Sequence, residues 1–361
     1  MESPTGGLRY TGGVMGLKME IFVNRRCVLV AAALVVGTVS ANASILYSCD
    51  PSIGSGTCAA LNGSAVSNVY SSVFSNANAD IYITYGNSGV GSSSFNVTQV
   101  PYSQYYTALA ASTDSPTSLA SLTPGVDPLI PYGNTDGDID ITAALANALG
   151  LSANGAETAG VEADGVTSCT LGNSGCYNGV ITMQTSSQWD FPPNAPPSGG
   201  WVDFYYVVEH ETDEILGTSS CIGTSGGAAA DVCGSTDAAP ADLFRYASAG
   251  TRSFLSTANG TAAYFSTDSG GTPIAYYINS PVGEDYGDWV TGGTVLVQDA
   301  EASADTLVDI TNDGGSEIAV LDAIGFNLAS SAVPEPGGMA LAGMGLAALE
   351  LARTLRRRRQ S

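Results

Sequence analysis

The sequence predicts an α+β fold, because segments with the period of strands and segments with the period of helices occur in one chain. Residues 79–85 alternate between apolar and polar side chains, and residues 178–183 form a second short run that favours a strand. Residues 204–216 instead carry apolar side chains at helical spacing. These segments predict a lobe of strands and helices over residues 44–217, followed over residues 218–331 by a second, irregular lobe.

The N-terminal end has the order of a secretory signal. Basic residues precede an apolar run at residues 27–39, and the small-residue sequence Ala-Asn-Ala follows at 41–43. This order predicts a signal peptide over residues 1–43 that is absent from the mature protein. Met15 and Met19 are alternative starts that would give the signal peptide a normal length.

The C-terminal end, residues 332–361, contains Pro-Glu-Pro at 334–336, an apolar run at 337–352 and an arginine cluster at 356–359. These three parts, in this order, resemble the PEP-CTERM sorting signal of Gram-negative bacteria. The resemblance implies a transient membrane anchor through residues 337–352 and processing by an exosortase-type enzyme. It also implies export across the inner membrane and release to the cell surface or the extracellular matrix. A plain tail anchor is the alternative interpretation.

The segments between the two ends have weaker patterns. Residues 44–78 are rich in Ser, Asn and Gly and are expected to wrap the surface. Residues 102–112 predict a helix. A second helix is predicted over residues 141–149, with Asp140 as its cap and Gly150 at its end.

The carboxylates at Asp136, Asp138 and Asp140 are spaced like the start of a calcium-binding loop. In an EF-hand, the closing glutamate would fall at Asn147. We therefore interpret this run as a solvated turn and helix cap, with calcium binding as the alternative.

The charge of the chain is unevenly distributed. The formal net charge is −23, and between residues 44 and 331 the basic residues are Arg245 and Arg252 alone. Like-charge repulsion therefore excludes nucleic acid and anionic lipid as partners of this acidic region, whereas cations are favoured. Arg245 is predicted to pair with carboxylates within the second lobe.

Six of the seven cysteines follow the predicted signal peptide and lie in near neighbours along the chain. An exported chain meets an oxidising compartment, so three disulfide bonds are predicted. Short loops favour pairing between neighbours, because closing them costs less entropy. The alternative, a thiolate metal site, lacks the Cys-x-x-Cys spacing. The predicted pairs are Cys49–Cys58, Cys169–Cys176 and Cys221–Cys233.

The only histidine of the chain, His210, lies in the helix predicted over residues 204–216. On such a helix, His210 and Glu214 lie one turn apart on the same face. This spacing matches the zinc-protease motif His-Glu-x-x-His, with glutamate in place of the second histidine. In that motif, the first and last residues hold the metal, and the glutamate after the first ligand, here Glu211, polarises the attacking water.

The ends of this helix are marked in the sequence. Asp203 can cap its first turn, and Gly217 can end it in a left-handed conformation. Gly217 also stands where metzincin proteases have the glycine that turns the chain out of the helix. The third histidine of those proteases would fall at Ser220, which is a weak ligand, so a third ligand must come from elsewhere.

Further motifs follow the helix and carry a resemblance to a known family. In order, the motifs resemble those of PEP-CTERM-bearing predicted metalloproteases over about residues 80–327, with distant similarity to leishmanolysin-type zinc proteases. The resemblance implies a metzincin-like, two-lobed protease fold, with a twisted sheet, helices and a central site helix. The motifs are His-Glu-x-x-Glu-x-x-Gly at 210–217, Asp-Leu-Phe-Arg-Tyr at 242–246, Tyr-Phe-Ser at 264–266, Gly-Asp-Trp at 287–289 and Leu-Asp-Ala-Ile-Gly-Phe at 321–326, the last within a short helix predicted over 318–326.

The resemblance also implies a site. His210, Glu214 and Asp288 would be the ligands of one divalent metal ion, zinc, since Asp288-Trp289 takes the place of a downstream His-Trp pair. Glu211 would be the general base that activates water, and the substrate would be a protein or peptide. One imidazole and two carboxylates also tolerate harder metals such as manganese or calcium.

Two features leave this assignment open at the sequence level. Asp285 and Glu284 are the nearest alternatives to Asp288, because a shift of three residues would present either one. The methionine that metzincins place under the metal has no clear counterpart, and Val295 to Val297 are expected to fill that layer.

Two classes of function are consistent with the sequence. The first is an exported metal-dependent endopeptidase. The second is a non-catalytic surface or extracellular-matrix protein built on a protease-like, metal-binding scaffold. Metal content, and hydrolysis of a protein substrate with and without a chelator, distinguish the two classes.

Overall fold

Strands and helices alternate along the chain, which has the mixed content of an α+β protein. The computed structural model describes residues 43–87, 89–112, 117–129, 137–193, 195–222, 233, 237–253, 263–278 and 285–329. The strands are β1 Ser44–Cys49, β2 Asn78–Gly86, β3 Ser93–Phe95, β4 Val97–Pro101, β5 Asp138–Thr142, β6 Ala159–Glu162, β7 Ser168–Thr170, β8 Cys176–Tyr177, β9 Gly179–Gln184, β10 Trp189–Asp190, β11 Val202–Asp203, β12 Arg245–Ser248, β13 Thr251–Arg252, β14 Tyr264–Phe265 and β15 Ala275–Tyr276. The helices of six or more residues are α1 Ser55–Ala60, α2 Ser67–Val73, α3 Tyr102–Ala111, α4 Ala143–Ala148, α5 Phe204–Leu216 and α6 Ser316–Ile324.

The main sheet carries the site helix. Its strand order is β1-β2-β9-β3, in which β1, β2 and β9 are parallel and β3 is antiparallel to β9. The predicted strands at residues 79–85 and 178–183 are confirmed as β2 and β9. Ile81 and Ile83 of β2 are fully buried, as the period-2 alternation requires. Helix α5 lies against this sheet, with the side chain of Ile215 over the backbone of Gly179.

The expectation that residues 44–78 wrap the surface is wrong. This segment forms β1, α1 and α2, and the side chains of Ile45, Tyr70 and Phe74 are fully buried. The apolar residues have a regular period, since Val66, Tyr70 and Phe74 are spaced four apart. The abundant Ser, Asn and Gly residues between them hid this period, because they favour turns more than helices.

The prediction that Asp140 caps a helix is also wrong. Asp138 and Asp140 lie in strand β5, which pairs with β4, and Asp140 is buried. The sequence Asp-Ile-Asp-Ile-Thr alternates with the period of a strand, and its β-branched residues favour one. Helix α4 begins later, and its cap is Thr142, whose hydroxyl accepts from the Leu145 N–H at 3.2 Å. Asp136, the first residue of the calcium-like run, lies outside the described residues.

The other predicted helices are confirmed with small changes at their ends. The helix predicted over residues 102–112 is α3. The terminal helix predicted over residues 318–326 is α6, which begins two residues earlier and ends before Gly325. Gly325 has a φ of 132°, a conformation that favours glycine and ends the helix.

Smaller sheets complete the part of the chain that the structure describes. The apolar core contains side chains from both sides of residue 217, among them Ile215, Phe244 and Leu321. The division into lobes at this residue stays a prediction. The smaller sheets have the strand orders β4-β5, β7-β6-β8, β10-β11 and β13-β12-β14-β15.

The three predicted disulfide bonds are confirmed: Cys49–Cys58, Cys169–Cys176 and Cys221–Cys233. Disulfide bonds form and persist in oxidising compartments, so the structure is compatible with an exported protein. No helix among the described residues is long and apolar enough to cross a membrane. The predicted anchor at 337–352 and residues 1–42 of the predicted signal peptide lie outside those residues.

Replacing Gly179 with alanine is expected to destabilise the protein by about 1–3 kcal/mol. A Cβ at Gly179 would lie 2.5 Å from Cγ1 and 2.6 Å from Cδ1 of Ile215, so helix α5 would be pushed from the sheet. Thermal or urea unfolding measures the effect. Gly56→Ala is the matched control, because a Cβ there meets no atom within 4 Å, and helix propensity predicts unchanged or slightly raised stability. A Gly179→Ala variant as stable as the wild type would contradict this packing.

Candidate metal centre

Helix α5 places the predicted site residues, and both of its ends are as predicted. The carboxylate of Asp203 accepts from the Tyr205 N–H at 2.8 Å and caps the first turn. Gly217 ends the helix with a φ of 128°, and its N–H donates to the carbonyls of Asp213 and Glu214. The caps fix where the helix begins and ends, and its packing on the sheet, with Ile215 over Gly179, sets which face points to the site.

The imidazole of His210 is held in one orientation by the backbone. Its Nδ1 lies 2.9 Å from the carbonyl oxygen of Val297. A carbonyl oxygen only accepts hydrogen bonds, so Nδ1 carries a proton and Nε2 is the atom that faces the site. A histidine that binds a metal through one nitrogen commonly donates its other N–H in this way. The carbonyl of Val297 thus holds the imidazole, and the expectation that Val295 to Val297 fill the layer under the metal stays a prediction.

The structure brings His210, Glu214 and Asp288 together. Nε2 of His210 lies 3.8 Å from Oε1 of Glu214 and 3.6 Å from Oδ1 of Asp288. One ligand atom from each of the three residues lies within 4.8 Å of the others. Zinc–ligand bonds of about 2.0–2.2 Å place neighbouring vertices of a tetrahedron about 3.3–3.6 Å apart. The donor set and its spacing therefore fit a divalent cation after small adjustments.

Of the two alternatives to Asp288, the structure describes Asp285, which is not among the residues whose ligand atoms converge. The carboxylate of Asp285 instead accepts from the N–H groups of Gly287 at 2.8 Å and Ser220 at 3.3 Å. Ser220, the position of the third histidine in metzincins, donates its hydroxyl to Asp242 at 2.5 Å. Glu284 lies outside the described residues.

Each carboxylate of the ligand set has one oxygen oriented by a neighbour. Ser93 on β3 donates its hydroxyl to Oε2 of Glu214 at 2.5 Å. The backbone N–H of Asp285 donates to Oδ2 of Asp288 at 3.2 Å. These bonds leave Oε1 of Glu214 and Oδ1 of Asp288 facing His210. Such outer contacts fix the direction of ligand side chains at metal centres.

Glu211 lies beside the ligand set and is almost fully buried. A Cβ at Gly91, just before β3, would lie 2.5 Å from Oε1 of Glu211, so the absence of a side chain there makes room for the carboxylate. Burial, followed by the charge of Glu214, raises the pKa of Glu211 well above its usual range. The carboxyl groups of Glu211 and Glu214 are close enough to share a proton, which raises the pKa of Glu211 further and places the predicted base next to a predicted ligand.

The site concentrates buried acidic groups. Burial raises the pKa of Asp285 to about 8, and the charge of Glu214 contributes further. Burial, then the charges of Asp285 and Glu214, raise the pKa of Asp288 well above its usual range. Buried carboxylates are costly unless a cation or hydrogen bonds compensate them. A divalent cation held by His210, Glu214 and Asp288 would supply this compensation.

Arg245 lies at the side of this acidic region. It donates to the carbonyl of Tyr286 at 2.7 Å, and its guanidinium lies 4.2 Å from the centre of the Tyr277 ring. Burial lowers the pKa of Arg245, and the charges of Tyr277, Asp242 and Asp285 oppose this shift. Its pairing with carboxylates stays a prediction.

Several functional neighbours were missed by the sequence analysis. Glu317 on α6 accepts from Nε1 of Trp289 at 2.8 Å and from the backbone N–H of Gln298 at 2.9 Å. It therefore ties the terminal helix to the segment that carries Asp288. Gln298 itself reaches the ligand atoms. Glu317 lies just before the helix predicted over residues 318–326, and nothing in that position reveals its contacts.

In a second cluster, ligand atoms of Asp140, Cys221 and Cys233 also lie within 4.8 Å of one another, close enough to hold a metal ion. The two cysteines form a disulfide bond, so neither provides the thiolate that a metal requires. This cluster is not a metal centre in the oxidised protein.

No protein-family model, curated protein or solved structure matches this chain. Its family resemblance therefore stays a prediction from sequence motifs.

The metal-free protein is expected to lose stability as the pH rises from the usual aspartate range, near about 4, towards the raised pKa of Asp285 at about 8. A carboxyl with a higher pKa in the folded state binds its proton more tightly there than in the unfolded chain, so deprotonation opposes folding. Thermal unfolding in a chelator should give a lower Tm at about pH 8 than at about pH 5. Asp285→Asn should reduce this difference. A metal-free protein that is more stable at the higher pH would contradict the buried acidic cluster.

Proposed function

We propose that this chain is an exported metal-dependent endopeptidase. The observation that supports the proposal most is the convergence of Nε2 of His210 with carboxylate oxygens of Glu214 and Asp288, beside the buried Glu211. The Val297 carbonyl leaves Nε2 of His210 as the coordinating atom. Three protein ligands and an adjacent carboxylic base form the arrangement that metal-dependent hydrolysis uses.

The residues would divide the reaction as follows. His210, Glu214 and Asp288 would hold one divalent cation, with zinc the metal that the motif resemblance implies. When bound, the cation supplies a Lewis acid for water and for the peptide carbonyl. Glu211 would accept the proton of the attacking water and pass it to the leaving amine. Burial raises the pKa of Glu211, and a carboxylate with a raised pKa is a stronger proton acceptor than an ordinary one.

The family that we propose is the PEP-CTERM-bearing metalloprotease family with a His-Glu-x-x-Glu motif, which is distantly similar to leishmanolysin-type and other metzincin proteases. The support is the order of motifs in the sequence, from residues 210–217 to residues 321–326. The metzincin-like arrangement of two lobes is part of this proposal.

One observation favours the second candidate, a non-catalytic surface or matrix protein on a metal-binding scaffold. The side-chain amide of Gln298 lies among the ligand atoms, where it could close the centre to water. Metal content and casein hydrolysis, measured together with and without a chelator, separate the two functions. Bound metal without chelator-sensitive hydrolysis would favour the scaffold.

We also propose export across the inner membrane of a Gram-negative bacterium, exosortase-type processing, and release to the surface or matrix. The three disulfide bonds and the Pro-Glu-Pro, apolar and arginine order support this route. Deleting residues 333–361 is expected to send the protein freely into the medium, because the transient anchor at 337–352 is removed. Immunoblots of membrane and medium fractions measure this. Continued association of the truncated protein with the membrane would contradict the role of this tail.

A further inference from the structure

Gln298 reaches the centre of the site from the segment that follows Asp288. Its Nε2 lies 3.3 Å from Nε2 of His210 and 3.1 Å from Oδ1 of Asp288. Gln298 is 1% exposed, so contacts with protein groups, and not with solvent, hold its side chain in this position. The amide of Gln298 thus contacts two of the three ligand atoms that the proposed metal requires.

The backbone of Gln298 is fixed on both sides. Its N–H donates to Oε1 of Glu317 at 2.9 Å, and its carbonyl accepts from the N–H of Trp289 at 2.8 Å. The preceding residue, Val297, holds the imidazole of His210. The segment that orients the histidine therefore also directs the amide of Gln298 into the site.

The distances place the end of the amide at a ligand position rather than at the metal position. A metal ion would lie about 2.0–2.2 Å from each ligand atom, whereas two ligands of one tetrahedral ion lie about 3.3–3.6 Å apart. The separations of the amide from His210 and Asp288, 3.3 Å and 3.1 Å, are close to this ligand–ligand spacing. The amide end therefore leaves space for an ion between itself, His210 and Asp288.

The orientation of the amide depends on what it faces. Its NH₂ group now faces two acceptors, and its Oε1 lies 3.3 Å from the hydroxyl of Thr218. A 180° rotation of the amide exchanges its NH₂ group with its carbonyl oxygen and does not move the backbone. The hydroxyl of Thr218 can pair with either group, because it accepts as well as donates. A cation between His210 and Asp288 favours this turn, because it attracts the carbonyl oxygen and repels the NH₂ group.

We propose that Gln298 is a fourth protein ligand of the metal centre, coordinating through Oε1 after its amide turns. This inference rests on the proposed metal-dependent function. It makes the donor set one nitrogen and three oxygens. A bound water molecule then gives five ligands, a number that zinc reaches by expanding its coordination and that harder ions accept readily. In the metal-free protein, the same amide donates to His210 and Asp288 and keeps their acceptor atoms paired.

The test is the affinity of the full chain for Zn²⁺, measured by competition with a chromophoric chelator. Gln298→Ala is expected to weaken binding at least about 10-fold, since even indirect contacts contribute 10–100-fold at metal centres. Gln298→Glu is expected to bind as tightly as the wild type or more tightly, because a carboxylate oxygen replaces the carbonyl oxygen at the same reach. Gln99→Ala is the matched control, because Gln99 is exposed and its amide contacts Asp237, away from the site.

The variants separate a ligand from a hydrogen-bond donor. A role that needs the NH₂ group would be lost in Gln298→Glu, so a loss of 10-fold or more in this variant overturns the proposal. Unchanged or tighter binding by Gln298→Ala overturns it as well. If Gln298→Ala does not fold, the affinity of Gln298→Glu decides alone. A wild-type chain that binds no divalent ion would instead overturn the proposed function itself.

Discussion

Glu211→Gln is expected to lower the rate of peptide hydrolysis by about 10²–10⁴-fold, the usual contribution of a general base. The amide cannot accept the proton of the attacking water, although it has the size and shape of the carboxylate. Metal content should remain that of the wild type, because His210, Glu214 and Asp288 supply the ligands. Casein hydrolysis and elemental analysis of the same preparation measure both properties.

Glu209→Gln is the matched control for this variant. Glu209 is also buried on α5, but its carboxylate accepts from the N–H of Ile310 at 3.1 Å, away from the ligand atoms. Hydrolysis by Glu209→Gln should match that of the wild type once the fraction of folded protein is taken into account. Full activity in Glu211→Gln would contradict the proposed role of Glu211 as the general base, but it would not contradict the metal centre.

His210→Ala is expected to lower metal affinity by more than about 100-fold, because a direct ligand contributes more than the supporting contacts that are worth 10–100-fold. It removes the only imidazole of the chain and leaves carboxylates alone to hold the ion. Asp288→Asn should also weaken binding, since an amide is a neutral and weaker ligand. Competition with a chromophoric chelator measures both affinities.

Asp285→Asn tests the choice between the two neighbouring aspartates. One oxygen of Asp285 accepts two backbone N–H groups, and Asp285 is not among the converging ligands. An asparagine oxygen can still accept both bonds. This variant should therefore keep its metal. Loss of metal in Asp285→Asn together with retention in Asp288→Asn would assign the third ligand to Asp285.

The sequence predicted the elements in which one period dominates. Residues 79–85 alternate strictly and form β2, and residues 204–216 form α5 with a capping aspartate and a terminal glycine. Residues 44–78 were misjudged because Ser, Asn and Gly separate the buried apolar residues. Asp140 was misread as a helix cap because aspartate is common at that position, although the residues around it alternate like a strand. The strand that pairs with it, β4, lies about 40 residues earlier in the chain, so the pairing is not visible locally.

The site was predictable to the extent that it lies on one helix. The period of α5 places His210 and Glu214 on one face, whereas Asp288 depended on a resemblance between motifs. The carbonyl of Val297 could not be found in advance, because every residue has a backbone carbonyl and only the fold selects one. Gln298 and Ser93 likewise belong to segments that meet α5 through tertiary packing alone.

The most direct test of the proposed centre is the metal content of the purified protein, determined by elemental analysis after dialysis against trace divalent ions. The ligand set of His210, Glu214 and Asp288 predicts one divalent ion per wild-type chain and none in His210→Ala. A wild-type protein that retains no metal, or a His210→Ala variant that retains as much as the wild type, would contradict the account.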